Sequence, residues 1–269
     1  RVSRGLGDVY KRQINGVAPV AAPVIGGLLT GSVGWQGIFM ILLFIGILLG
    51  IGCIRFKESL PAEKRSKTGV WATFRSFGII VHNRRYMLYV FQLAFAQGIL
   101  FAYIASSPFI IQQHYGFSPF AFSICFAVNA VAIGVAAALS VKFRRTENGT
   151  LTGCVGMLVF AVLQMAALYS GCGFWTYELL MFALLFMMGL TFTASTTLAM
   201  DCERRYAGAA SALLGALCFA SGGIVSPLVG LGDILISTGV TFVICAVCSL
   251  LCALWAVKRT GPKVALCRI

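Results

Sequence analysis

The distribution of basic residues is the strongest constraint that this sequence places on its fold. All 21 lysines and arginines lie outside eight long apolar segments of the chain. A charged side chain at the centre of a bilayer costs about 2.5 to 3.5 kcal/mol on insertion scales, so membrane-spanning segments exclude lysine and arginine. A helix needs about 20 apolar residues to cross about 30 Å of hydrocarbon. The pattern therefore predicts an all-α polytopic membrane protein with eight transmembrane helices.

The predicted spans also carry a signal for orientation. They lie at residues 14–30, 35–54, 86–106, 119–141, 151–170, 175–200, 209–230 and 236–257. Basic residues occur before the first span and after the second, fourth, sixth and eighth, whereas the other four connections contain none. By the positive-inside rule, both ends of the chain face the cytoplasm. The net charge of +13 thus indicates membrane orientation rather than binding to nucleic acid.

Polarity divides the chain into five regions. They are 1–13, which begins without Met, 14–54 with two spans, the cytoplasmic central loop 55–85, a six-helix bundle at 86–257, and the cytoplasmic tail 258–269. The first region resembles translated adapter sequence, although a native cytoplasmic loop would also suit its basic residues. In both cases the chain looks truncated at its N-terminus. Apolar residues from Val70 to Val81 recur at helical spacing, which fits either an amphipathic helix on the inner membrane surface or a loop segment packed on the bundle.

The first predicted span is rich in glycine and proline. Pro19 and Pro23 each remove a backbone hydrogen bond, while Gly16, Gly26 and Gly27 present bare backbone to a neighbouring helix. Together these residues predict a bent and closely packed helix. Such a helix could seal one end of a transport pathway, and the alternative is an ordinary kinked packing helix.

Several stretches resemble drug:proton antiporters of the major facilitator superfamily. GVAPVAAPVIGG, starting at Gly16, is similar to the antiporter motif of their fifth helix. GWQGIF resembles the turn that opens their sixth helix, although Gln36 stands where the family usually has Arg. SPFIIQ from Ser107, YGFSP from Tyr115 and AGAASALLG from Ala207 resemble the Bcr/CflA, or bicyclomycin-resistance, branch.

The resemblance implies a partial major facilitator fold whose eight helices correspond to helices five to twelve of the family. Residues 14–54 would then be the last two helices of the N-terminal bundle. The implied function is export of drugs or small amphipathic metabolites in exchange for protons, by alternating access, in a bacterial inner membrane. The implied partners are a small-molecule substrate, protons and the lipid bilayer, with a monomer favoured. We expect no cofactor, metal or enzymatic activity, and the sequence has no GxxxxGK[ST] nucleotide loop.

Asp, Glu, Lys and Arg are absent from the interiors of the predicted spans. Glu178 and Asp233 lie at outer helix ends, where Glu178 can stabilise the positive N-terminus of its own helix. Proton-coupled transporters commonly need a carboxylate within the membrane. In the family that acid lies on the first helix, so we expect the proton-carrying residue to lie outside this chain.

Polar side chains within the spans are the candidate substrate contacts. Gln92 and Tyr103 fall on one partly polar strip of the third span, and Asn129 is the only polar side chain in the middle of the fourth. Thr193 lies on a polar strip of the sixth. Because polar groups in hydrocarbon need partners, these side chains should point inward. Hydrogen bonding between helices is the alternative role, and a threonine hydroxyl can also bond its own helix backbone.

Other functions stay open at this point. The same fold would serve a facilitator of sugars or other metabolites. A channel-like or purely structural membrane protein would have the same composition. A truncated fragment could also be non-functional on its own.

Overall fold

The computed structural model describes residues 25–26, 29, 33–55, 77–140, 142–143 and 145–258. These residues are almost entirely helical, and no strand occurs among them. Most of the first predicted span lies outside the described residues, as do Gly16, Pro19, Pro23 and Gly27 of its glycine- and proline-rich motif. Gly26 is described and is helical.

Seven helices in the described residues are long and apolar enough to cross a membrane. They are α1 (Val33–Arg55), α2 (Arg84–Pro108), α3 (Pro119–Ser140), α4 (Thr146–Tyr169), α5 (Phe174–Cys202), α6 (Ala207–Val229) and α7 (Ile234–Lys258). Each overlaps one predicted span, from the second to the eighth. The all-α, multi-span architecture predicted from the charge pattern is therefore confirmed.

The ends of α2 show why the apolar helix that includes it and the π-helix after it is the longest among the described residues. Its N-cap is Asn83, whose side chain accepts a hydrogen bond from the backbone N–H of Tyr86 at 3.3 Å. At the other end, Pro108 has no N–H to donate, and the chain continues directly into the π-helix Phe109–His114. The apolar helix therefore runs on to His114, for 31 residues in total.

The bundle is built around α2 and α5. The first packs against α5, α6 and α7, the second packs against α3 and α4, and α4 also packs against α7. Glycine allows these close approaches. A Cβ added at Gly98 of α2 would lie 3.2 Å from Cys245 Sγ on α7 and 3.3 Å from Val225 Cγ2 on α6.

Two further glycines bring α5 close to its neighbours. A Cβ added at Gly153 of α4 would lie 2.7 Å from the Cβ of Thr191 and 2.8 Å from its backbone N. A Cβ added at Gly189 of α5 would lie 2.5 Å from the backbone oxygen of Ile133 on α3. Because the atoms in the way belong to backbone, a larger residue at either position would push two helices apart.

The short helix 77–82 packs on the end of this bundle where α2 begins and α5 is followed by α6. Ile80 is fully buried in a cluster with Tyr86, Leu198 and Ala210. The described part of the predicted 70–81 segment therefore packs on the bundle, and residues 70–76 lie outside the described residues.

In contrast to the bundle helices, α1 is exposed along its whole length. None of the closely packed helix pairs in the described residues includes it. Many of its apolar side chains are more than half exposed, among them Phe39, Leu43 and Leu49. They suit contact with lipid or with other membrane helices.

Candidate functional site

Polar side chains form two hydrogen-bonded clusters between helices in the interior of the bundle. We call the end of the bundle whose connections lack Lys and Arg the outer end, following the predicted orientation. The inner cluster consists of Gln92, Thr150, Cys154, Thr191, Ser195 and Ser249. The outer cluster consists of Tyr103, Asn129 and Glu178.

The inner cluster centres on the Gln92 amide, which is fully buried. Its Nε2 lies 3.1 Å from Ser249 Oγ on α7, 3.2 Å from Thr191 Oγ1 on α5 and 3.4 Å from Cys154 Sγ on α4. An amide nitrogen has two hydrogens, so these three acceptors share two N–H bonds. Ser249 Oγ in turn donates to the backbone oxygen of Gln92 at 3.2 Å. One side chain thus links four helices.

The remaining members extend this network between α4 and α5. Thr191 Oγ1 donates to the backbone oxygen of Thr150 at 3.2 Å, and the hydroxyls of Thr150 and Ser195 lie 3.1 Å apart. All six side chains are neutral amides, hydroxyls or a thiol. The inner cluster is therefore an uncharged cross-link in the interior of the bundle.

The outer cluster centres on the Asn129 amide of α3. Its Nδ2 donates to Glu178 Oε1 on α5 at 2.8 Å and to the hydroxyl of Tyr103 on α2 at 3.1 Å. Both Asn129 and Tyr103 are only 1% exposed. The Tyr103 ring stacks on Phe126 with centroids 5.4 Å apart and an angle of 18° between the planes. A polar edge and an aromatic face therefore lie side by side.

Glu178 was not predicted to join this cluster. It lies beyond the first turn of α5, and its carboxylate accepts its hydrogen bond from Asn129 rather than from the N–H groups at its own helix end. The expectation that it serves its own helix N-terminus is thus replaced by a contact between α3 and α5. Within the described part of the chain, the one ion pair joins Arg204 to Asp201 at the inner end, so Glu178 has no cationic partner there.

Buried polar atoms without a hydrogen-bond partner are concentrated in the outer half of the described bundle. Two belong to the outer cluster, Asn129 Oδ1 and Glu178 Oε2. Other unpaired atoms toward the outer ends of α2, α4 and α5 are the hydroxyls of Ser106, Ser107 and Tyr177 and both amide atoms of Gln164. The inner cluster has one such atom, Gln92 Oε1. Arg85 Nε is a further one in the inner half, so unused hydrogen-bonding groups are more numerous in the outer half.

The structure brings together two of the four residues predicted to bind substrate. Tyr103 and Asn129 are hydrogen-bonded, whereas Gln92 lies 11 residues before Tyr103 on α2, or about 16 Å along the helix. Thr193 belongs to neither cluster. Its backbone oxygen accepts from Thr197 Oγ1 at 3.0 Å, and Thr196 bonds the helix backbone in the same way. The substrate-binding roles of all four residues stay predictions.

No metal site was found among the described residues, where no group of three or more His, Cys, Asp or Glu side chains could hold an ion. The nine described cysteines are free thiols. Among the described groups that lie outside α1 to α7 and the π-helix, one has a changed pKa, namely Tyr115, which follows the π-helix. Its burial raises the pKa of the hydroxyl, which donates to the backbone oxygen of Cys172 at 2.9 Å.

The helical bundle with polar groups in its interior matches a known family. Residues 14–227 match the model of the Major Facilitator Superfamily, which covers most of the chain. The chain belongs to the major facilitator superfamily. Its described helices are accordingly those of a multi-pass membrane protein of a transporter family.

Similar proteins agree with this assignment. The transporter is 37% identical over 227 residues to the "Uncharacterized MFS-type transporter YdgK" of Bacillus subtilis, covering 82% of this chain and 56% of the relative. It is 28% identical to the "Bicyclomycin resistance protein homolog" of Haemophilus influenzae, covering 79% of this chain and 54% of the relative. These matches confirm the resemblance to the bicyclomycin-resistance branch.

A third relative is more distant. The "Multidrug transporter MdfA" of Edwardsiella ictaluri is 26% identical over 104 residues, covering 39% of this chain and 25% of the relative. The chain spans about half the length of the first two relatives.

Proposed function

We propose that this major facilitator transporter exports drugs or small amphipathic metabolites in exchange for protons. In this proposal it works by alternating access in a bacterial inner membrane, with the ends of the chain in the cytoplasm. The names of the Haemophilus influenzae and Edwardsiella ictaluri relatives, which refer to resistance and to multidrug transport, support this choice.

The observation that carries the proposal is the outer cluster between α2, α3 and α5. Asn129 and Tyr103 offer hydrogen-bonding groups, and the adjacent stack of Tyr103 on Phe126 offers an apolar face. An amphipathic molecule has the same two kinds of surface. Sites of this composition bind small ligands through apolar contact and use a few polar groups to fix orientation.

The inner cluster supports the movement that alternating access requires. Rocking of one bundle against another exposes a central site to one side and then to the other. The moving bundle must keep its shape during this motion. Gln92 links α2, α4, α5 and α7 through neutral hydrogen bonds, so these helices can move as one body.

The test is transport by the reading frame that contains this chain, reconstituted in proteoliposomes with an imposed proton gradient. Bicyclomycin and a fluorescent amphipathic dye serve as probes. We expect uphill movement of at least one probe, coupled to proton flux in the opposite direction and abolished by a protonophore.

Three results would overturn the proposal. Saturable transport that is unaffected by the protonophore would identify a facilitator. Single-channel currents would identify a channel. Absence of flux, with the protein folded, would show that this chain does not transport these molecules.

Variants locate the site. Asn129→Leu should raise the KM for the probe by about tenfold, because a buried polar contact of about 1.4 kcal/mol is lost. The matched control is Thr197→Val on α5, since the Thr197 hydroxyl is exposed and bonds only its own helix backbone. Equal KM values for the two variants would remove Asn129 from the substrate site.

A further inference from the structure

Glu178 is a carboxylate in the outer half of the bundle with unused hydrogen-bonding capacity. Its Oε1 accepts from Asn129, while its Oε2 is buried and has no partner in the described structure. The titratable groups that face it are Tyr103 from α2, Cys125 from α3 and Tyr177 on α5 itself. None of these groups is a cation. A buried charge without a cation is costly, and a carboxyl group can avoid that cost by taking up a proton.

Asn129 is suited to hold Glu178 in either protonation state. An asparagine amide donates through Nδ2 and accepts through Oδ1, and the two ends exchange places when the amide turns by half a turn. In the present arrangement Nδ2 donates to the carboxylate, and Oδ1 has no partner. After rotation, Oδ1 can accept from a protonated carboxyl group. The Tyr103 hydroxyl can follow, since it both accepts and donates.

The surroundings of this carboxyl group leave a second acceptor atom without a donor. Asn129 is 1% exposed, so its unpaired Oδ1 is a buried acceptor beside a second buried acceptor, Glu178 Oε2. Two acceptors without donors call for a ligand that brings hydrogen. The further unpaired groups of Ser106, Ser107 and Gln164 lie in the same half of the bundle.

From this geometry we infer that Glu178 is a proton-binding site of the six-helix bundle, with Asn129 and Tyr103 as its hydrogen-bonding partners. The inference rests on the proposed proton-coupled function and places one coupling group within this chain. Proton uptake converts the carboxylate to the neutral acid and breaks no other bond. The bundle would thus take up its own proton from the outer side, in addition to any acid that precedes the described helices.

The experiment is an infrared titration of the purified protein in liposomes without any gradient. The carboxyl C=O band is followed from about pH 5 to about pH 9, the range in which buried carboxyl groups are known to titrate. We expect a carboxyl band that disappears as pH rises in the unmodified protein. Glu178→Gln should lose this band. Asp233→Asn should keep it, because Asp233 is an exposed helix cap at the same end of the bundle and Asn also caps.

Two further variants distinguish loss of the titrating carboxyl group from misfolding of the protein. Glu178→Asp keeps a carboxyl group and should keep a titrating band. Asn129→Leu should keep the band but shift its frequency, because the carboxyl group loses its hydrogen-bond partner. A purely structural role for Glu178 predicts neither result.

The outcomes separate this inference from the proposed function. If the Glu178→Gln spectrum equals that of the unmodified protein, Glu178 binds no proton in this range and the inference is wrong, even where proton-driven export persists. If the band is present but a proton gradient drives no export, the site stands and the proposed function fails.

Discussion

The inner and outer clusters use similar side chains in opposite ways. In the inner cluster, Gln92 links four helices and every other member is an uncharged hydroxyl or thiol. In the outer cluster, Asn129 links three helices, but one partner is a carboxylate and two acceptor oxygens have no donor. Amides therefore serve two purposes in this bundle. A neutral network holds helices together, whereas a network that includes a carboxylate with unused acceptors can exchange a ligand.

The sharpest test of this difference compares Glu178→Gln with Gln92→Leu in the transport assay. We expect the Glu178 variant to lower proton-driven export more than about tenfold, a loss of at least about 1.4 kcal/mol, because a neutral amide cannot exchange a proton. The Gln92 variant should keep export within about threefold once expression is normalised. If Gln92→Leu abolishes export and Glu178→Gln does not, the two roles are reversed.

The second prediction concerns the close approach on which the inner cluster depends. Gly153→Ala should destabilise the bundle by about 1 to 3 kcal/mol, because the added Cβ meets backbone of α5 at Thr191. Thermal unfolding in detergent measures the effect. Gly215→Ala is the control, since no atom lies within 4 Å of an added Cβ there. Equal melting temperatures for the two variants would contradict this packing.

The third prediction measures the strength of the inner cross-link itself. Gln92→Leu should cost about 0.6 to 1.7 kcal/mol of stability, the range found for hydrogen bonds between membrane helices. The loss is limited because Thr191 and Ser249 only accept from the Gln92 amide, and their hydroxyls keep the bonds that they donate to backbone oxygens of α4 and α2. The same melting assay applies, with Gln97→Leu as a control on the same helix. A loss no larger than that of the control would mean that Gln92 does not hold the helices together.

The smallest effect is expected for Tyr103→Phe. This change removes one hydroxyl from the outer cluster, leaves the ring that stacks on Phe126, and keeps the bond between Asn129 and Glu178. Stability should fall by about 0.6 kcal/mol or less. A loss as large as that of Gly153→Ala would show that the outer cluster, rather than the inner one, holds the bundle together.

Much of the fold follows from the sequence because the bilayer imposes a strict rule on each span. Exclusion of Lys and Arg marked the segments that became α1 to α7, with ends within a few residues. The helix 77–82 was harder to predict, since amphipathic spacing fits both membrane contact and packing. Only the structure shows Ile80 buried against the inner end of the bundle.

The candidate site was only partly predictable, because sequence position does not give the vertical offset between helices. Asn129 lies 11 residues from the inner end of α3, about 16 Å, whereas Glu178 lies 24 residues from the inner end of α5, about 36 Å. Counted this way, the two residues should be far apart in depth, yet their side chains are hydrogen-bonded at 2.8 Å. The sequence feature that does point to this site is the chemistry of Asn129, because a buried asparagine needs hydrogen-bond partners.

The hydroxyl and thiol members of the inner cluster carried no such signal. Serine, threonine and cysteine can satisfy themselves on their own helix, so their presence in a span does not predict a contact. Thr196 does this, whereas Thr191 reaches across to α4. Which of the two occurs depends on the approach of the neighbouring helix, here allowed by Gly153.

Cys154 allows opening of the inner cluster to be followed over time by thiol labelling. Its thiol is fully buried where α2, α4, α5 and α7 meet, within 3.7 Å of Ser249 Oγ. A thiol-reactive label can reach it only when those helices separate. The rate at which Cys154 itself is alkylated, among the nine described thiols, therefore measures how often these helices separate.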